Sequence, residues 1–144
     1  MPIDVDNSSL THQQKLDLHF LHGKYEMAGD LDKTMETLVA EPEYRLNGRL
    51  IRGQQSIRAW YQEVIMKLFS WDNFDVHNSM PAADGLAHEF GVRLTWRNKE
   101  HYIRGVSIVH FVGDKMRGES LYLAAPFEEI VRELVDLDAF FVPE

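Results

Sequence analysis

Several residues in this chain have the types and spacing to move protons. The segment HFLHGKYE places His19, His22 and Glu26 at i, i+3 and i+7, on one side of a helix. That spacing brings three potential metal ligands together, but all from a single helix, and no metal is expected. His22 also lies beside the stripe formed by Leu18, Leu21, Tyr25 and Ala28. An imidazole there can exchange a proton near neutral pH, or be a buried ring satisfied by a backbone carbonyl. Glu119 is in phase with Leu121 and Leu123 on a strand. Facing an apolar pocket, its carboxyl is a candidate acid or base; the alternative is an ion pair with Arg93 or Arg104.

Two further histidines sit on strands. In FDVHNSM, alternation groups His77 with Asp75 and Ser79, opposite Phe74 and Val76, and a β-bulge would reverse that parity. His88 shares a face with Phe90, Val92, Leu94 and Trp96, as a pocket residue or a polar residue at the rim of a core strand. Trp60, Trp96, Tyr25 and Tyr44 suit a flat apolar ligand, or plain core. Ser56 and Ser107 have no nucleophile-elbow context.

The elements that must position these groups follow from periodicity. Helix one spans Thr11 to Ala28 and ends at Gly29-Asp30. Asp30 or Asp32 caps a short second helix in LDKTMETLVA, which Pro42 stops. EYRL is a short strand, followed by a glycine loop. Ile57, Trp60, Tyr61, Val64, Ile65 and Leu68 mark a third helix. Four strands follow in WDNFDVHNSM, LAHEFGVRLTW, HYIRGVSIVHF and MRGESLYLAA, separated by PAADG, RNKE and VGDK. A last amphipathic helix is expected over 126–141. Residues 1–10 read as a flexible tail ahead of a single domain filling 1–144.

Composition removes several classes of function. The chain has 144 residues, 44% hydrophobic and 26% charged, enough for one packed core. The formal charge of -8, with no basic cluster, argues against nucleic acid or an anionic membrane. There is no cysteine, so disulfides and thiolate chemistry are out. The polar start and the absence of an apolar run of ~18 residues point to a cytoplasmic protein. Gly48 and Gly53 are spaced as in a phosphate loop, but Gln54-Gln55-Ser56 follows, with no lysine to meet a phosphate. Asn47-Gly48 is better read as a turn, and Gly53 as the end of a loop before helix three.

The order Gly29-Asp30-Leu31-Asp32, then Gly48 and Gly53 ahead of Ile57, Trp60 and Tyr61, then four long strands, resembles the nuclear transport factor 2-like, or SnoaL-like, superfamily. The resemblance covers about residues 12 to 125. It implies an α+β fold: a cone of curved antiparallel sheet, about four long strands and a short one, around three N-terminal helices, with an extra C-terminal helix. It also implies an apolar pocket and frequent dimers. Members include steroid isomerases, scytalone dehydratase, polyketide cyclases and limonene epoxide hydrolase, so fold alone does not give function.

Alignment on the shared motifs puts His22 where steroid isomerases hold a tyrosine. Leu46 and Val109 fall where those enzymes hold their base and second acid, so both carboxylates are missing. The Asp-Arg-Asp set of the epoxide hydrolases is not matched either, since Leu121 stands beside Tyr122 where an aspartate is expected. Scytalone dehydratase offers a pocket histidine at His77, while Gly105 stands at its second. Its C-terminal helix shelters the pocket, a role FEEIVRELVDLDAFF could take here. The resulting expectation is a cofactor-free isomerase, dehydratase or cyclase, a homodimer, acting on a hydrophobic cyclic molecule. His22, His77 and Glu119 would be catalytic, with Tyr25, Tyr44, Leu46, Trp60, His88, Trp96 and Val109 lining the pocket. The rivals are a non-catalytic binding or dimerisation module, and a structural subunit of a larger enzyme that would use the convex face of YIRGVSIVHF.

Overall fold

The computed structural model describes residues 8–82 and 85–144. The first helix, α1 (His12–Met27), starts from a capping box in which Thr11 and Gln14 bond each other's backbone N–H. Asp30 caps α2 (Leu31–Glu36) by accepting from the Lys33 N–H. Residues 1–7 of the expected tail lie outside the described residues. Residues 8–10 are docked rather than free: Ser8 bridges to Gly113, and the Ser9 N–H donates to the Gly113 carbonyl.

The glycine segment holds one more strand than the sequence suggested. β1 (Glu43–Leu46) and β2 (Arg49–Arg52) form a hairpin around Asn47 and Gly48. Both turn residues have positive φ, 49° and 89°, as a two-residue type I′ turn requires. β2 is too short to show alternation, which is why it read as a loop. Gly53, at φ 95°, then leads into α3 (Gln54–Trp60). The helix continues through a π-turn over Tyr61–Ile65 into α4 (Met66–Leu68). Ile57, Trp60 and Val64 from this run are fully buried.

The long strands are β3 (Phe74–Ala82), β4 (Gly85–Trp96), β5 (Lys99–Val112) and β6 (Lys115–Leu123). One six-stranded sheet runs β2-β1-β6-β5-β4-β3. It is mixed, because β1 pairs in parallel with β6. Its inner face curves around α1 and α3, giving an α+β architecture.

Two irregularities set which side chains reach that inner face. In β3 the register slips between Val76 and Asn78, leaving His77 as the extra residue. In β6 it slips after Met116, so Met116 and Glu119 both face inward although three positions apart. Gly118 sits within this second bulge at φ 154°. A Cβ there would stand 1.8 Å from the Glu43 carbonyl oxygen, so only glycine lets β1 approach β6.

The last helix, α5 (Phe127–Leu134), is shorter than the expected 126–141. Val135 is extended, and a 3₁₀ turn over Leu137–Phe140 follows, which buries Leu137 completely. Phe127 packs on Phe69 at 5.9 Å, and Phe140 packs edge-on against Trp60 at 5.7 Å. The Val142 N–H donates to the Leu50 carbonyl of β2. This segment therefore closes one end of the core. The burial of Phe127 and Val131 contributes about 1.5–3 kcal/mol each.

Candidate functional site

The inward stripe of α1 is polar. Lys15, His19, His22 and Glu26 recur at helical spacing on the side turned toward the sheet, with Lys15 and His22 buried and the other two half-buried. An ordinary core helix would carry leucines there. Lys15 sits over the Phe111 ring at 6.0 Å. Of the remaining three, His19 and Glu26 line a cavity of 440 Å³ between α1, β1, the π-turn and the inner face of β3 to β6, and His22 lies behind it. Its walls are mainly apolar, with Ile65, Phe69, Phe74, Phe90 and Leu121 prominent. Phe20 and Trp71, both more than half exposed, stand at its mouth. That volume falls within the range of small-molecule sites.

Glu119 of β6 is the polar centre of the wall. Its Oε1 lies 3.4 Å from Nε2 of His19 and 3.9 Å from Nε2 of His22. The Ser107 hydroxyl donates to its Oε2 at 3.4 Å. Burial pushes this carboxyl up. The His19 hydrogen bond and the charges of His19, His22 and His88 outweigh that, and its pKa falls below the usual glutamate value. Arg93 pairs with Asp75, leaving histidines rather than arginine beside Glu119. Glu26 behaves in the opposite way. It has no hydrogen-bond partner among the described residues and keeps surface open to the cavity. Desolvation by the surrounding protein, and secondarily the Glu119 charge, push its carboxyl well above the ordinary range.

Behind this wall runs a hydrogen-bonded chain. The Thr37 hydroxyl donates to the Thr34 carbonyl at 2.7 Å, and Nδ1 of His22 lies 2.7 Å from the same hydroxyl. Nε2 of His22 is 2.8 Å from the Tyr61 hydroxyl, which in turn contacts the Tyr44 hydroxyl. Two hydrogen bonds between the Thr37–Val39 segment and Met116 hold Thr37 in place. The π-turn begins at Tyr61, and such turns often mark functional positions. Burial lowers the His22 pKa to about 4, so the ring is neutral at pH 7. Burial likewise raises both phenols, which stay protonated.

On the far wall, His88 stacks on His19 with centroids 4.5 Å apart. Its Nδ1 lies 2.6 Å from the Ser79 hydroxyl, and its Nε2 has no hydrogen-bond partner among the described residues. Burial, then the His19 charge, takes its pKa to about 4.

The structure gathers some of the expected site residues and scatters others. Glu119, Tyr44 and His88 line the cavity. His22 is completely buried one layer behind it. His77 is exposed on the outer face, 2.6 Å from the Tyr102 hydroxyl, the side that alternation with Asp75 gives it, and the bulge after it turns Ser79 inward instead. Tyr25 lies outside the cavity lining, with the Lys33 ammonium over its ring at 5.5 Å. Leu46, Trp60 and Val109 are fully buried core. Trp96 packs at a tilt against His101, with the Arg97 guanidinium over its ring, at the end of β4. No residue of α5 or the segment after it lines the cavity, so that helix packs beside the core rather than over the pocket.

No local motif in the sequence marked Glu26 as an acid, or Tyr61, Ser79 and His19 as cavity groups. The polar stripe on α1 was the available signal for His19 and Glu26. Tyr61 sits in the apolar register of α3, where its hydroxyl gave none.

The sequence matches no protein-family model and no curated protein. The fold has clear counterparts among solved structures. An NTF-2 like protein of unknown function from Burkholderia xenovorans LB400 is 18% identical, with 92% of this chain and 95% of that one covered, at a TM-score of 0.62. A putative SnoaL-like polyketide cyclase from Shewanella denitrificans OS-217 is 11% identical, covering 83% and 96%, at 0.63. SalBIII, an epoxide hydrolase/cyclase-like enzyme of pyran ring formation in the polyether salinomycin, is 11% identical, covering 80% and 94%, at 0.65. The chain thus has the nuclear transport factor 2-like, SnoaL-like fold. Among the described residues no helix is long and apolar enough to cross a membrane.

Proposed function

We propose that the protein takes a hydrophobic cyclic molecule into this cavity and transforms it by cofactor-free proton transfer, as an isomerase, dehydratase or cyclase. One observation carries the reading: the cavity is lined by two carboxyls, Glu26 of α1 and Glu119 of β6, whose environments drive their pKa values apart. Such a pair divides into base and acid. Glu119, held ionised by His19, takes a proton from the substrate. Glu26, held protonated, returns one or donates a hydrogen bond to a developing oxyanion. His22 acts through Tyr61 as a positioning residue, since Tyr61 occupies the nitrogen nearest Glu119. The cyclase and the cyclase-like enzyme among the similar folds are compatible with this chemistry and do not specify the substrate.

A thermal-shift screen against steroids, naphthols, polyketide-like aromatics, terpenoid epoxides and fatty acids is the first test. A ligand at a hundred times its Kd adds about 2.7 kcal/mol of stability. Turnover of a hit that is lost in Glu119→Gln, with binding kept, supports catalysis. Unchanged turnover in that variant sinks the base assignment.

The second reading is a binding module without catalysis. It is favoured by the apolar Leu46 and Val109 at the carboxylate positions of the steroid isomerases, both buried in the core. Binding without turnover of any hit would select it. Either way we infer a cytoplasmic homodimer. Tyr102 and Tyr122, 44% and 45% exposed on the outer sheet face, support a contact there. A monomeric mass by light scattering would remove that inference.

A further inference from the structure

The chain behind the cavity wall has one direction, and that direction fixes what the wall offers a ligand. The Thr34 carbonyl only accepts. At 2.7 Å from it, the Thr37 hydroxyl must donate, since two lone pairs at that distance repel. With its one proton used, Thr37 accepts from His22, so the His22 proton sits on Nδ1. The ring is neutral, enclosed with none of its surface exposed, and Nε2 therefore carries a lone pair. The Tyr61 hydroxyl donates to it at 2.8 Å. The Tyr61 proton is then committed, and the Tyr44 hydroxyl donates to Tyr61. Glu119, 3.9 Å from Nε2, lies beyond hydrogen-bond reach and does not compete for that nitrogen.

Tyr44 lines the cavity. Two phenols in a pocket would ordinarily be read as donors to a carbonyl. Here the last proton of the chain is spent on the Tyr61 oxygen, and the Tyr44 oxygen is left with lone pairs alone.

We propose that Tyr44 is a specificity-determining hydrogen-bond acceptor, selecting apolar ring compounds that carry a phenolic or enolic hydroxyl. His22 and Thr37 are positioning residues that set this polarity. The flat aromatic lining of Phe69, Phe74 and Phe90 accepts the ring. The inference rests on the reading of the cavity as a small-molecule site.

Two experiments test it separately. Nitrogen-15 NMR of the unliganded protein reads the His22 tautomer. The expected result is a proton on Nδ1 and none on Nε2, with Thr37→Val producing a mixture. A proton on Nε2 in the wild type reverses the chain and overturns the polarity, whatever binds. The second experiment titrates 2-naphthol and 2-methoxynaphthalene, which share a skeleton and differ in the donor. The wild type should prefer naphthol by roughly tenfold, the upper range for one neutral hydrogen bond. Tyr44→Phe should abolish the preference, bringing the two dissociation constants together. Equal binding of the two by the wild type, or a preference that survives Tyr44→Phe, overturns the assignment. Binding of neither probe, with the expected tautomer seen, overturns the ligand class and counts against the cavity reading itself.

Discussion

Nε2 of His19 lies 3.4 Å from Oε1 of Glu119, which ties the middle of α1 to the inner face of β6. Burial raises this glutamate, and the contact, together with the charges of His19, His22 and His88, outweighs it. A carboxylate held this way is ionised at neutral pH, and as the proposed base it would lose activity only as pH falls through its lowered pKa. Replacing His19 by alanine removes the largest opposing influence, so the Glu119 pKa rises. The acid limb of the kcat/KM profile is expected to move to higher pH in His19→Ala. A limb that stays in place would detach Glu119 from the rate.

Stability should depend on pH through the enclosed histidines. His22 and His88 fall from 6.5 to about 4 in the folded protein. The unfolded chain therefore binds more protons between those values, and stability is full above about 6.5 and lost as pH falls toward 4. For the completely buried His22 the loss is on the order of 3 kcal/mol. Melting curves from pH 7.5 to 4 should show a steep decline, and His22→Gln should flatten it.

Glu26 has the opposite sign. Its raised folded pKa means that its contribution is full below about 4.5 and is lost as pH rises. Glu26→Gln, which keeps the shape and removes the titration, should gain stability relative to the wild type as the solution becomes alkaline. Parallel melting curves for the two proteins would refute an elevated Glu26.

Gly118→Ala probes the bulge that turns Glu119 inward. The added Cβ meets the Glu43 carbonyl oxygen at 1.8 Å in backbone that only glycine adopts readily. A loss of at least about 2 kcal/mol is expected in chemical denaturation. An alanine tolerated within 0.5 kcal/mol would mean that β1 and β6 can separate freely.

Trp71 supplies a binding readout. Of the three tryptophans it alone lines the cavity, at its mouth, while Trp60 is sealed in the core. A non-absorbing ligand should shift the emission of the wild type and leave Trp71→Phe unchanged. A response that persists in the variant would place the ligand elsewhere.

Local order was legible along the chain, and the site was legible only in part. Thr11, Asp30, Gly48 and Gly53 marked real boundaries because caps and positive-φ turns depend on a few neighbouring residues. Helix α3 and strands β4 to β6 were written in period, and Glu119 was in phase with Leu121 and Leu123. β2, four residues long, had no period to show. Ser79 left the side it shares with His77 by alternation because a bulge is a property of strand pairing with β4, which no short stretch encodes.

The sequence by itself determined the order of the elements other than β2, the α+β class and a helix one with histidines and a glutamate at helical spacing. Only the tertiary structure decided what those groups became. The pKa of a carboxyl depends on what surrounds it in space, and Glu26 and Glu119 are 93 residues apart in the chain. The polarity of the His22 ring likewise depends on Thr37, Tyr61 and Tyr44, delivered by three different segments. Periodicity reports which side of an element faces inward, and the chemistry there is set by what packs across from it.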